Sequence, residues 1–343
     1  MLYKVLDKNA YQDFIKSLIS DYQVIGPKKK DDSVHDFVPI KDISELDTGY
    51  KRTTLPPAKK VLFPPNETLV QYELGDKIVV EPVIEAEEKI LLGINAWDIN
   101  GMNFLDRVFK TDFVDANYVA KREKLIVIGM DSEPLESNFS LSMGAETANE
   151  GFDLFVTELK DKYFIRVATA KGNGLLEKYT EAEDATSEDF KEFDRYMDDY
   201  RKKFSTDVSI KSFYDDFENI YDRQEFWDKI AEKCYSCGSC NLSCPTCFCF
   251  NVKDDMDLNL KTGRKIREWD SCMIPDYGLV AGDHNFRPSK ENRLKQRYRC
   301  KLKTFKEKFG TYSCVGCGRC IEVCLAKINI AEDIDTVKKE VSI

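Results

Sequence analysis

Two stretches in the last third of the chain carry most of its reactive side chains. The first is Cys234-Tyr-Ser-Cys237-Gly-Ser-Cys240-Asn-Leu-Ser-Cys244-Pro245, and the second is Cys314-Val-Gly-Cys317-Gly-Arg-Cys320-Ile-Glu-Val-Cys324. Each reads C-x2-C-x2-C-x3-C. Thiolates at i, i+3 and i+6 wrap one tight backbone turn around an iron–sulfur cube, and the last cysteine of each run points away to the cube of the other. Gly238, Gly316 and Gly318 suit such a turn, because the backbone approaches the cube closely in conformations a β-carbon would oppose. The spacing predicts one [4Fe-4S] cluster on Cys234, Cys237, Cys240 and Cys324. It predicts a second on Cys314, Cys317, Cys320 and Cys244. Structural zinc pairs C-x2-C knuckles across a longer gap and has no use for triple runs.

The residues between the runs (245–313) form a long insertion holding the other four cysteines, Cys247, Cys249, Cys272 and Cys300. Three of these, with His284 of Gly282-Asp-His284-Asn-Phe286-Arg287, make a candidate third cluster site: Cys247, Cys249, Cys272 and His284. Cys300 competes as the fourth ligand. The plain alternative is a set of reduced cysteines packed near the other clusters. Residues 287–308 are strongly basic, with Tyr298 and Phe305 interleaved. Nucleic acid is one reading of that pattern. The more economical one is a helix that screens anionic clusters and presents a docking face to an acidic subunit or a flavin phosphate.

These ligands need a scaffold, and at 343 residues there is room for two domains. A net charge of −10 gives no global drive toward nucleic acid or anionic membrane. No apolar run reaches the length of a membrane span, and Met1–Lys8 lacks a secretory core, so the expected location is cytoplasmic. All twelve cysteines lie between 234 and 324, a distribution that suits thiolate ligands in a reducing compartment better than disulfides.

Along the chain, Tyr11, Phe14, Ile15, Leu18 and Ile19 share one helical face, with Asp7 as a plausible cap. Proline and glycine break up residues 26–66, and His35 reads as an exposed loop residue. Residues 78–80, 90–94 and 125–129 read as buried strands, 99–109 as a helix, and 153–159 with 163–168 as a hairpin. Gly172-Asn-Gly174-Leu-Leu-Glu177 resembles a phosphate loop, yet Glu177 stands where a small residue is required, so it reads as a plain strand-to-helix turn. The acidic segment 181–203 reads as an exposed helix joining two domains.

With these residues in view, the chain resembles the β subunits of cytosolic sulfhydrogenases and the A subunit of anaerobic sulfite reductase. The most specific stretches are Cys237–Phe250, Trp269–Cys272 and Ala281–Arg287, with weaker matches at Pro56–Pro65 and Leu105–Phe109. The resemblance implies an iron–sulfur subunit placed between a flavin- and NAD(P)H-binding subunit and a catalytic oxidoreductase subunit. FAD or FMN would then sit on a partner. The family's α/β domain often carries cysteines of its own, at positions held here by Trp97, Met130, Asn138 and Ser140. That departure implies a relay confined to residues 234–324.

The fold class expected is α+β: an N-terminal α/β domain over 1–205, then a ferredoxin-like 2[4Fe-4S] domain over 206–343 with the insertion at 245–313. The expected role is electron transfer within a soluble multi-subunit oxidoreductase of hydrogenase, sulfite or sulfur reductase, or heterodisulfide reductase type. No catalytic residue is evident. The rival reading is a self-contained flavin-binding iron–sulfur reductase using 171–177.

Overall fold

The computed structural model describes residues 1–31, 34–51, 53–210 and 213–341. Strand β1 (Leu2–Asp7) leads into helix α1 (Lys8–Asp21), where the Asp7 carboxylate accepts from the Asn9 and Ala10 amides and satisfies two otherwise orphaned donors. Next come β2 (Gln23–Lys29), β3 (His35–Ile40), α2 (Pro57–Leu62), β4 (Asn66–Leu74) and β5 (Ile78–Pro82). They are followed by β6 (Lys89–Ile94), α3 (Ala96–Lys110), α4 (Ala116–Lys124), β7 (Leu125–Met130), β8 (Leu154–Glu158) and β9 (Lys162–Val167). Then come α5 (Ala170–Tyr179), β10 (Glu183–Asp184) and α6 (Ser187–Arg201).

Eight of these strands form one sheet in the order β10-β1-β9-β8-β7-β6-β2-β3. Its centre, β2, β6, β7 and β8, is parallel. The continuous apolar runs of β6 and β7 follow from that position, because helices cover both faces. One face packs Leu91, Val127 and Phe155 against Ile99, Met102 and Leu105 of α3. The other packs Ile90, Ile128 and Val156 against Phe14 and Leu18 of α1 and Leu176 of α5.

The C-terminal part begins with two helices, α7 (Phe213–Tyr221) and α8 (Gln224–Lys233). It continues through α9 (Ser239–Leu242), β11 (Phe250–Met256), β12 (Thr262–Trp269), β13 (Leu279–Val280), β14 (His284–Asn285) and α10 (Lys290–Arg299). A π-helical turn at Cys300–Thr304 joins α11 (Phe305–Phe309), and α12 (Arg319–Glu322) and α13 (Ile330–Val341) complete it. Trp227, Phe217, Leu294, Tyr298 and Ile334 are its core. Mixed helices and sheets with a cysteine-rich C-terminal part make the class α+β.

The insertion does more than lengthen a loop. Its β12 pairs antiparallel with β4, so β11-β12-β4-β5 is a second sheet built from both parts of the chain. Arg267 on β12 is buried and bonds the Glu67 carboxylate at 2.5 Å and also Asp115. Phe305 meets Phe104 of α3 edge-on at 4.8 Å.

Four expectations need correction. Strand β5 is exposed along its whole length, because it is the outer strand of this second sheet and not a member of the buried one. His35 is buried on β3, with Nε2 2.9 Å from the Asp47 carboxylate. Helix α6 packs on the large sheet, stacking Phe193 on Phe164 at 4.5 Å, and is not a free-standing bridge. The 172–177 segment, expected as a strand-to-helix turn, lies inside α5, past the junction at 168–169: Thr169 caps the helix by accepting from the Gly172 amide, and a β-carbon on Gly172 would lie 2.4 Å from the Asp153 carbonyl oxygen. Gly172 thus serves close packing.

Candidate iron–sulfur site

The two cysteine runs repeat one backbone shape. Between their first and second cysteines, Ser236 and Gly316 adopt φ of 54° and 68°. Between the second and third, Gly238 and Gly318 adopt 77° and 76°, each at the start of a one-turn helix, α9 or α12. Left-handed backbone at both places turns three successive thiols toward one centre. Ser236 bears a β-carbon at a position where glycine is preferred, and its Oγ bonds Arg293 Nη2 at 3.2 Å.

Cys234, Cys237, Cys240 and Cys324 line one cavity, walled by Leu294, Tyr298 and Ile330, with Cys320 at its inner side. Backbone amides already aim at its sulfurs: Ser236 N is 3.3 Å from Cys234 Sγ, and Ile328 N is 3.4 Å from Cys324 Sγ. Cys237 is exposed, flanked by Tyr235 at 72% and Leu325 at 78% exposure. Burial pushes the deeper Cys240 thiol up to about 11, partly offset by the Arg297 guanidinium.

Cys314, Cys317, Cys320 and Cys244 sit deeper. Burial, then the charge of Cys320, pushes Cys314 up to about 12, with Cys244 adding to the effect. Cys317 is raised by burial against the pull of Arg319, with Cys244 and Cys320 again nearby. This loop docks on the α/β part. Phe139 N donates to Gly316 O at 2.8 Å, and the indole of Trp97 packs with Val315 and Cys317. The hydroxyls of Ser137 and Ser140, beside Gly318 and Gly316, are buried without a partner. A cluster whose sulfurs accept hydrogen bonds fits that surplus of donors. Trp97, Met130, Asn138 and Ser140 are all buried.

The basic segment faces inward. Arg293, Arg297 and Lys301 recur every fourth residue and are all buried, as one face of a helix requires. Arg297 Nη1 bonds Asn241 Oδ1 at 2.5 Å and lies 3.8 Å from Cys247 Sγ. Lys301 Nζ bonds Thr246 Oγ1 at 2.8 Å. Burial opposes both charges, but the surrounding thiolates, Cys240 and Cys320 for Arg297 and Cys244 and Cys247 for Lys301, outweigh it. A third cation comes from the other end of the chain. Lys59 on α2 is buried, with Nζ 3.4 Å from the carbonyl oxygens of Asn241 and Cys244 and 3.9 Å from the Trp269 ring centre. Nothing in the local pattern around Lys59 signals this; the Pro56–Pro65 stretch that carries it was only a weak match.

The remaining cysteines divide from the histidine. Cys247 lies against Cys244 and Cys272 against Cys249, while Cys249 and Cys300 lie near Lys301. His284 is exposed on the β13–β14 hairpin, its ring edge-on to Phe286 at 4.8 Å. Two residues on β13 pair with β14 and hold it there.

Among the described residues no helix is long and apolar enough to cross a membrane. The family described as "4Fe-4S dicluster domain" matches residues 233–328. The chain is also similar to the sulfhydrogenase 2 subunit beta of Pyrococcus furiosus, 33% identical over 341 residues and covering 99% of both chains. That likeness spans the α/β part as well as the cysteine runs. The chain thus belongs to the family of sulfhydrogenase β subunits, carries two [4Fe-4S] clusters, and is an electron-transfer component of an oxidoreductase.

Proposed function

We propose that the chain relays electrons in the cytoplasm between a flavin- and NAD(P)H-binding subunit and a catalytic subunit of hydrogenase, sulfite or sulfur reductase, or heterodisulfide reductase type. Cys234, Cys237, Cys240 and Cys324 hold one cluster, and Cys314, Cys317, Cys320 and Cys244 the other. A [4Fe-4S] pair supplies one-electron acceptance and donation at potentials set by charge, burial and hydrogen bonds to sulfur. The rest is the work of the chain. The observation that carries the reading is the asymmetry of the two sets. Cys237, Tyr235 and Leu325 bring the first to the surface, while Trp97, Val315 and Phe139 close the second against the α/β part. Such an arrangement offers one exposed edge to a redox partner and a dry, cation-lined interior behind it.

Anaerobic copurification of the tagged chain from its native host tests this. The expected result is a flavin-containing subunit and a catalytic subunit, with NAD(P)H reducing the clusters only when the former is present. Stoichiometric flavin released from the chain purified alone, together with cluster reduction by NAD(P)H without a partner, would instead establish a self-contained reductase.

A further inference from the structure

We propose that Cys247, Cys249, Cys272 and Cys300 hold a third [4Fe-4S] cluster. This goes beyond the relay reading, which needs only the pair. All four are free thiols, with Cys247 and Cys272 buried and the other two half-buried. Three separate segments bring them together. The Cys249 carbonyl accepts from the Asp270 amide at 3.0 Å where β11 and β12 come into register, which sets Cys249 beside Cys272. Asn241 Nδ2 lies 3.0 Å from Cys272 Sγ, while its Oδ1 is held by the same Arg297 that reaches Cys247. Cys300 opens the π-helical turn, and the next residue, Lys301, bonds Thr246, the neighbour of Cys247.

The charges around the set call for an anion. Lys59, Arg297 and Lys301 are buried, and among the described residues none is in an ion pair with a carboxylate. Buried cations without an anionic partner are strongly disfavoured. By contrast Arg319 and Arg267, equally buried, each have a carboxylate. A cube held by four thiolates bears net negative charge and adds to that of the pair, whose ligands Cys240, Cys320 and Cys244 also face Arg297 and Lys301. A single zinc ion would draw its thiolates into one small shell. Among the described residues no three His, Cys, Asp or Glu side chains stand at such spacing. A cube, binding each thiolate at a different corner, tolerates the wider set. Cys300, not the exposed His284, completes it.

The test is anaerobic iron and acid-labile sulfide analysis of the full-length chain after cluster reconstitution. The expected content is about twelve irons per chain, against about eight for a pair alone. Cys249→Ser and Cys272→Ser should each fall to about eight while the reduced protein keeps the paired-cluster EPR spectrum. Lys59→Met, which removes a cation but no ligand, should keep all the iron and lower one midpoint potential. About eight irons in the unaltered chain, with or without a bound zinc, would overturn the third cluster and leave the relay proposal intact. Unchanged iron content in both serine variants would overturn it as well.

Discussion

Arg319 and Asp98 form a two-pronged ion pair in the interior, Nη1 to Oδ1 at 2.6 Å and Nη2 to Oδ2 at 2.5 Å, with Asp98 fully buried. Arg319 lies between Cys317 and Cys320, and Asp98 is in the first turn of α3. The pair therefore fastens the second cysteine loop to the α/β part, with Thr53 taking the remaining guanidinium donors. Removing one partner leaves a buried charge uncompensated, which costs about 3–5 kcal/mol.

Asp98→Ala should accordingly lower the urea midpoint sharply and shed iron from the second cluster first. Replacing both residues by apolar ones of similar size should recover most of the stability. Unfolding curves and iron counts on the single and double variants measure this. A double variant no more stable than Asp98→Ala would contradict the account.

Gly316 illustrates how tightly the same loop docks. Its φ is 68°, and a β-carbon would lie 2.6 Å from the carbonyl carbon and oxygen of Phe139. Gly316→Ala should lose the second cluster, since the backbone conformation alone costs about 1–2 kcal/mol and the clash adds to it. Gly174→Ala is the control. It sits inside α5 with open space around it, and should stabilise by about 0.5–1 kcal/mol through helix propensity. Thermal melts of the two variants should move in opposite directions.

The crossed ligand sets give a spectroscopic prediction. Cys324→Ser should abolish the same EPR signal as Cys234→Ser, and Cys244→Ser the same signal as Cys314→Ser. If Cys324→Ser instead matched Cys314→Ser, each run would hold its own fourth ligand and the crossing would be refuted.

Asp131 predicts a pH dependence. Burial raises its carboxyl to about 6 from an ordinary 3.8, against the opposing effects of the Thr157 hydroxyl at 2.6 Å and of Arg166. The folded state binds this proton more tightly than the unfolded state does. Stability from this group is therefore complete below about pH 4 and is lost as pH rises through 6. Asp131→Asn keeps an acceptor for Thr157 and removes the charge. It should be more stable than the parent by on the order of 1–3 kcal/mol at pH 7.5, and indistinguishable at pH 4. Urea unfolding at the two pH values decides.

Much of the site was legible because its rules are local. Three thiols at three-residue spacing constrain one turn, and the positive φ at Gly238, Gly316 and Gly318 is where that spacing required it. The apolar runs at 90–94 and 125–129 were equally plain, since a strand covered on both faces has no polar side to show. Strand β5 misled because an apolar run reads the same on an exposed edge as in a core. His35 misled because its partner, Asp47, lies across a loop break.

By itself, then, the amino-acid sequence determined the two cluster-binding loops, the class of chemistry and the buried centre of the large sheet. Those features depend on neighbours a few residues apart. Only the tertiary structure decided that His284 lies in the open on the β13–β14 hairpin, that Asp98 anchors Arg319, and that Lys59 stands beside Cys244. Charges in a protein interior are balanced across space. Lys59 and Cys244 are separated by most of the α/β part, and no periodicity along the chain records that they meet.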